Sequence, residues 1–180
     1  MHPHDNMEIV SIVLRGKLQH RDNLGNGDVL KPGDVQKMTA GSGIIHSEFN
    51  PSDKEPVHFL QIWIIPNMLD LRPSYEQKAF NRKSMTNRLT LLVSPDGHNG
   101  SLEIHQDAEI WQILLEENKD TEFAINHNRK IWIQVAEGSV STNEHLLVAG
   151  DGLAVSDEEG IIRLRGIDKL SNIIIFNLRA

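Results

Sequence analysis

Cysteine is absent from the 180 residues. Disulfides, thiolate metal sites and cysteine nucleophiles are therefore excluded, and any metal ligand has to come from His, Asp or Glu. The same absence fits a reducing compartment, so a cytoplasmic location is expected. Long apolar runs are also missing. The most apolar stretch is FLQIWIIP at 59–66, far short of the roughly 20 residues a helix needs to span a bilayer. No N-terminal apolar segment of the signal-peptide kind occurs, so a soluble chain with no membrane partner is expected. Basic charge is scarce too: 18 Lys and Arg stand against 25 Asp and Glu, for a net charge of −7. The two signs are interspersed, which leaves no basic patch to track phosphate and no direct nucleic-acid partner in prospect. No G-x-S-x-G elbow, P-loop or dinucleotide fingerprint follows a strand and opens a helix. The glycine-rich TAGSG at 39–43 reads as a turn just ahead of His46.

What dominates is a period of two. MEIVSIVLRG (7–16), HFLQIWII (58–65), LTLLVS (89–94), EIWQILLE (109–116), KIWIQVAEG (130–138) and NIIIFNL (172–178) are short and rich in β-branched and large apolar residues. Turn clusters bound them: DNLGNGD (22–28), KPGD (31–34), SPDGHNG (94–100) and AGDG (149–152). This pattern predicts an all-β sandwich or barrel. Only YEQKAFNRK at 75–83 reads as briefly helical, inside a polar, proline-containing connector. The expected division is therefore an N-terminal domain over 1–66, a connector over 67–88 and a C-terminal domain over 89–180.

A weak internal repeat supports two copies of one unit. GDVQKMTAGSGII (33–45) and GDGLAVSDEEGII (150–162) share Gly-Asp, eight residues, then Gly-Ile-Ile. Each follows an apolar strand ending in glycine, at Gly16 and Gly138. Aligned this way, His46 and Glu48 match Arg163 and Arg165, and His2 and His4 match Ala124 and Asn126, so a metal site would belong to the first copy alone. The second copy has strands before position 121 that the first copy lacks, so the first barrel is expected to miss its opening strands.

In a strand, residues i and i+2 share a face. His2 and His4 can thus aim two imidazoles one way, and His46 and Glu48 can do the same from another strand. If those strands are neighbours, three nitrogens and a carboxylate converge. Such a set suits Fe(II), Cu(II), Ni(II), Mn(II) or Zn(II), and leaves an octahedral ion up to two open positions. On spacing alone, a disordered tail and an ordinary core histidine account for the same residues, since short His motifs recur by chance. Of the other histidines, His20, His98, His127 and His145 read as surface, and His58 and His105 as structural. Glu8 is read as sharing the face of His2 and His4, in a supporting position behind them.

HPHDNMEIVSIVLRGKLQHRDNLGN, KPGDVQKMTAGSGIIHSEFNPS and LQIWIIP resemble the pirin family, the bicupins that include bacterial quercetin dioxygenases. YEQKAF, LLVSPDGHNGSLEIHQDAEIW and RKIWIQVAEG extend the likeness through most of the chain. The resemblance implies two jelly-roll (cupin) barrels, the first incomplete at its N-terminus and alone in carrying metal. The ligands it implies are His2, His4, His46 and Glu48, holding one divalent ion, Fe(II) foremost. The activity implied is the opening of a flavonol such as quercetin by O2 with loss of carbon monoxide, Glu48 serving as catalytic base. A non-catalytic metal-binding protein that regulates or interacts with a protein partner is the other reading the family offers. Asp5 stands where relatives often carry a basic residue, which changes the charge at the site entrance.

Overall fold

In the computed structural model, which describes residues 1–142, 145–156 and 159–180, the chain is built of strands apart from a single 3₁₀ turn at His98–Gly100. No helix is long and apolar enough to cross a membrane among these residues. Two compact units divide the chain, one of Met1–Phe80 with Leu102–Gln106, the other of Asn81–Ser101 with Asp107–Ala180.

The first unit contains β1 (His2–His4), β2 (Glu8–Arg15), β3 (Leu18–Asp22), β4 (Val29–Leu30), β5 (Asp34–Thr39), β6 (Ile44–Phe49), β7 (His58–Ile64) and β8 (Ser74–Ala79). They form two antiparallel sheets, in the orders β7-β2-β5-β8 and β1-β6-β3-β4. The second unit opens with β9 (Thr90–Ser94); the short β10 (Leu102–Glu103) falls in the segment grouped with the first unit. It continues with β11 (Ala108–Glu116), β12 (Asp120–Ile125), β13 (Arg129–Glu137), β14 (Ser139–Thr142), β15 (His145–Val148), β16 (Gly152–Val155), β17 (Gly160–Gly166) and β18 (Leu170–Arg179). Its sheets include the orders β9-β11-β18-β13-β16 and β12-β17-β14-β15.

The same pattern thus occurs twice: β7-β2-β5 with β1-β6-β3-β4, then β18-β13-β16 with β12-β17-β14-β15. Even the irregularity is repeated. Pairing shifts between Val13 and Arg15 against β7, and between Val135 and Glu137 against β18. The turns after these bulges close on Gly16 at φ 71° and Gly138 at φ 78°, a left-handed backbone that glycine adopts without strain. β18 is flanked by β13 and β11, the latter along the nine residues Ala108–Glu116. β7 has β2 on one side and no partner on the other among the described residues.

Strand registers correct the alignment drawn from the repeat. Gln19 pairs with Phe49 as Ser141 pairs with Arg165, and His2 pairs with His46 as Phe123 pairs with Ile162. His46 and Glu48 therefore correspond to Ile162 and Leu164, not to Arg163 and Arg165. By the same pairing, His2 and His4 correspond to Phe123 and Ile125, not to Ala124 and Asn126. The turn leading into the sixth strand is one residue shorter in the second copy, so the two Gly-Ile-Ile runs are out of step, and a one-residue slip exchanges the faces of a strand. Part of that second run, Asp157 and Glu158, lies outside the described residues. A further correction concerns 75–83: Ser74–Ala79 is not helical but extended, paired with β5 over six residues. The open edge of β5 supplies a ladder that outweighs the local helical preference.

The second unit's core joins Ile113, Phe123, Ile125, Ile133, Val135, Ile162, Leu164 and Ile175. Ile133 is fully buried there, and Ile133→Ala is expected to lower the unfolding free energy by about 2–5 kcal/mol in a guanidinium titration.

Candidate metal centre

β1 is only three residues long, yet it is fixed at both ends of its register. His2 lies opposite His46 and His4 opposite Ile44 on β6. Just beyond it, the Asn6 N–H donates to the Gly41 carbonyl at 2.8 Å, and the Asn6 side-chain oxygen accepts from the Asp70 N–H at 2.8 Å. Gly41 has φ 50°, and a Cβ there would stand 1.9 Å from the Leu71 carbonyl oxygen. The TAGSG turn therefore needs glycine at this point to hold the chain that carries His2 and His4.

The rings of His2, His4 and His46 meet, with centroids 4.5 to 5.0 Å apart. Their donor nitrogens lie within 4.8 Å of one another. A second group with the same spacing joins His20, His46 and Glu48. Of the expected ligands, then, three imidazoles form one cluster, while the Glu48 carboxylate sits closest to His46 and His20. His46 is fully buried, and both of its ring nitrogens, His4 Nε2 and His20 Nδ1 are buried without hydrogen-bond partners. Buried polar atoms in proteins are nearly always partnered. Unpartnered nitrogens on three neighbouring rings are the donor chemistry of a cation site, and imidazole with carboxylate is chemistry that divalent transition metals accept.

Electrostatics favour the neutral imidazole at His46 and at His4. Burial drives the His46 pKa from 6.5 down to about 4, with His2, His20 and His4 adding like-charge repulsion. His4 is lowered in the same way, by burial and then by His2, against the opposing pull of Glu48 and Asp5. Neutral imidazole is the form that binds metal.

Glu48 is held by three donors. Ser11 Oγ and Gln36 Nε2 each donate to Oε1 at 3.0 Å, and Gln61 Nε2 donates to Oε2. Ser11, Gln36 and Gln61 come from three adjacent strands and stand opposite one another in register. None of the three is among the expected site residues; Ser11 is the polar residue between Ile9 and Val13 on its face of β2, and Gln36 is fully buried in β5. Their counterparts in the second unit are Ile133, Leu153 and Ile175. These three positions, polar in the first unit, are thus apolar in the second.

Two other expectations change. His20 is not a surface residue but fully buried: its ring stacks on Tyr75 at 4.8 Å, and Nε2 lies 3.1 Å from Asp22 Oδ2. Its strand alternation with the exposed Arg21 turns it inward. Glu8 does not stand behind His2 and His4. It belongs to β2 and is fully buried, and its carboxylate accepts from Thr39 Oγ1 and pairs with His105 Nδ1, both at 3.0 Å. The turn at Asn6, with φ 43°, breaks the alternation that the sequence reading extended across it. His98, His127 and His145 are exposed. Trp63, also passed over in the sequence, is 57 % exposed and presents its ring edge-on to His4 at 5.2 Å.

A duplicated jelly roll with a polar, imidazole-lined interior in one copy defines a bicupin with a divalent-metal site in its first barrel. Residues 1–64 match the Pirin family and residues 91–178 match the family described as quercetinase C-terminal cupin domain. Quercetin 2,3-dioxygenase of Escherichia coli K12 is 40 % identical over 177 residues, which are 98 % of this chain and 74 % of that protein. The crystal structure of YhhW from Escherichia coli superposes with a TM-score of 0.91 at 40 % identity, covering 98 % of this chain and 74 % of that one. The nickel(II) complex of bacterial pirin YhhW gives a TM-score of 0.90 at 39 % identity, covering 99 % and 75 %. The chain belongs to the pirin family.

Because the unfolded chain takes up protons near pH 6.5 that folded His46 refuses until about 4, the metal-free protein should lose stability as pH falls through that window. Urea unfolding at pH 7 and pH 5 measures the loss, and His46→Ala should flatten it.

Proposed function

We propose that this protein is a metal-dependent dioxygenase of the pirin type that opens a flavonol such as quercetin with O2. The observation that carries the reading is the set of buried, unpartnered nitrogens on His4 and His46 beside the Glu48 carboxylate. His2, His4, His46 and Glu48 are the proposed ligands, Fe(II) the foremost metal and the cytoplasm the compartment. The similarity to the quercetin 2,3-dioxygenase of Escherichia coli supports the substrate class.

Bound at this cage, a divalent ion acts as a Lewis acid that favours the ionised form of a chelating hydroxyl. The side chains supply the rest. Glu48 takes the 3-hydroxyl proton of the flavonol, its carboxylate aimed by Ser11, Gln36 and Gln61. Trp63, exposed beside His4, offers a flat apolar face against which the aromatic substrate stacks. Asp5 sets a negative charge near His4 at the entrance.

Aerobic loss of quercetin absorbance by metal-reconstituted protein tests the proposal. His46→Ala should abolish turnover, and Glu48→Gln should lower it by about 10²–10⁴-fold, the range of a lost general base. Equal rates in wild type and His46→Ala would defeat it. Tight metal binding without turnover, together with a recovered protein partner, would select the non-catalytic regulatory reading instead.

A further inference from the structure

Resting on the metal-binding reading above, we propose that His20 is also a metal ligand, forming with His46 and Glu48 an inner seat that shares both of those residues with the four-ligand outer seat built on the His2, His4 and His46 triplet. The donor atoms of each triplet lie within 4.8 Å of one another. Ligand bonds of about 2.0–2.2 Å place two donors on one ion at such separations with little movement. The inner triplet is the more buried: His20 and His46 are inaccessible, whereas His2 is exposed.

His20 is built as a ligand is built. Asp22 lies at Nε2, and its side chain is fully buried. Asp22 is itself fixed, its carboxylate accepting from the Leu24 and Asn26 N–H groups and from Asn26 Nδ2. The Asp22 carboxylate accepts a hydrogen bond from Nε2–H, the tautomer that leaves the ring lone pair on Nδ1. That atom is buried and unpartnered. Tyr75 covers the face of the ring, not its edge, so the in-plane lone pair stays free. A carboxylate behind the far nitrogen is the arrangement that orients metal-ligating imidazoles. In the second unit, residue 142 in the equivalent strand position is Thr142, so the histidine belongs to the first cage alone.

Cobalt(II) is the probe, followed by calorimetry and by its visible absorption. Wild-type protein should bind Co(II), and His2→Ala/His4→Ala should keep one specific equivalent at weaker affinity. Adding His20→Ala to that pair should abolish binding, with His20→Gln as the variant that preserves packing. Adding Asp22→Asn instead should weaken binding by about 10–100-fold. No binding by the His2/His4 double variant, or binding unchanged by loss of His20, overturns the inner seat while leaving the outer one intact. Absence of Co(II) binding by the wild type defeats both readings.

Discussion

The pairing of β1 with β6 is the constraint on which the rest depends. Three residues of strand place His2 across from His46, and strand alternation then puts His2, His4, His46 and Glu48 on one face, from the exposed His2 to the fully buried His46. So short a strand has little ladder of its own, and the Asn6 contacts to Gly41 and Asp70 fix its exit. Shifting that pairing by one residue would turn both imidazoles of the strand to solvent and dissolve the cage.

Comparison of the two units shows what the cage replaces. The second unit fills the same interior positions with Phe123, Ile125, Ile162 and Leu164, all members of one hydrophobic cluster. Apolar packing there needs no partner. In the first unit the same fold carries buried nitrogens with no protein partner, a cost of about 1–3 kcal/mol each when left unsatisfied. A site that is expensive without its ligand is one the ligand stabilises strongly, since binding free energy is then also folding free energy.

The all-β architecture and the duplication were legible because period-two patterning and turn chemistry are local properties. The pairing of His2 and His4 with His46 followed from i, i+2 geometry plus neighbouring strands. What failed depended on register and burial, which are non-local. The Gly-Ile-Ile match misled because similar turns can differ by one residue while keeping their glycine. His20 reads as a surface residue since it adjoins a polar turn, and its burial shows only in the fold, where Tyr75 packs on its ring and Asp22 meets Nε2. Glu8 was misassigned because Asn6 takes a positive φ that ends the alternation begun at His2. Ser11 and Gln61 are polar interruptions within apolar strands, whereas Gln36 lies in the mixed strand DVQKMT and carries no such signal.

The contrast between an oily interior and a coordinated one has a thermal consequence. Burial of hydrocarbon loses strength as water is chilled, because its driving force near room temperature is entropic and carries a large heat-capacity change. Bonds from nitrogen and oxygen to an ion have no such dependence. With an ion bound, the two barrels should therefore diverge in the cold: both lose strength in their apolar clusters, but only the first would have coordination to set against that loss.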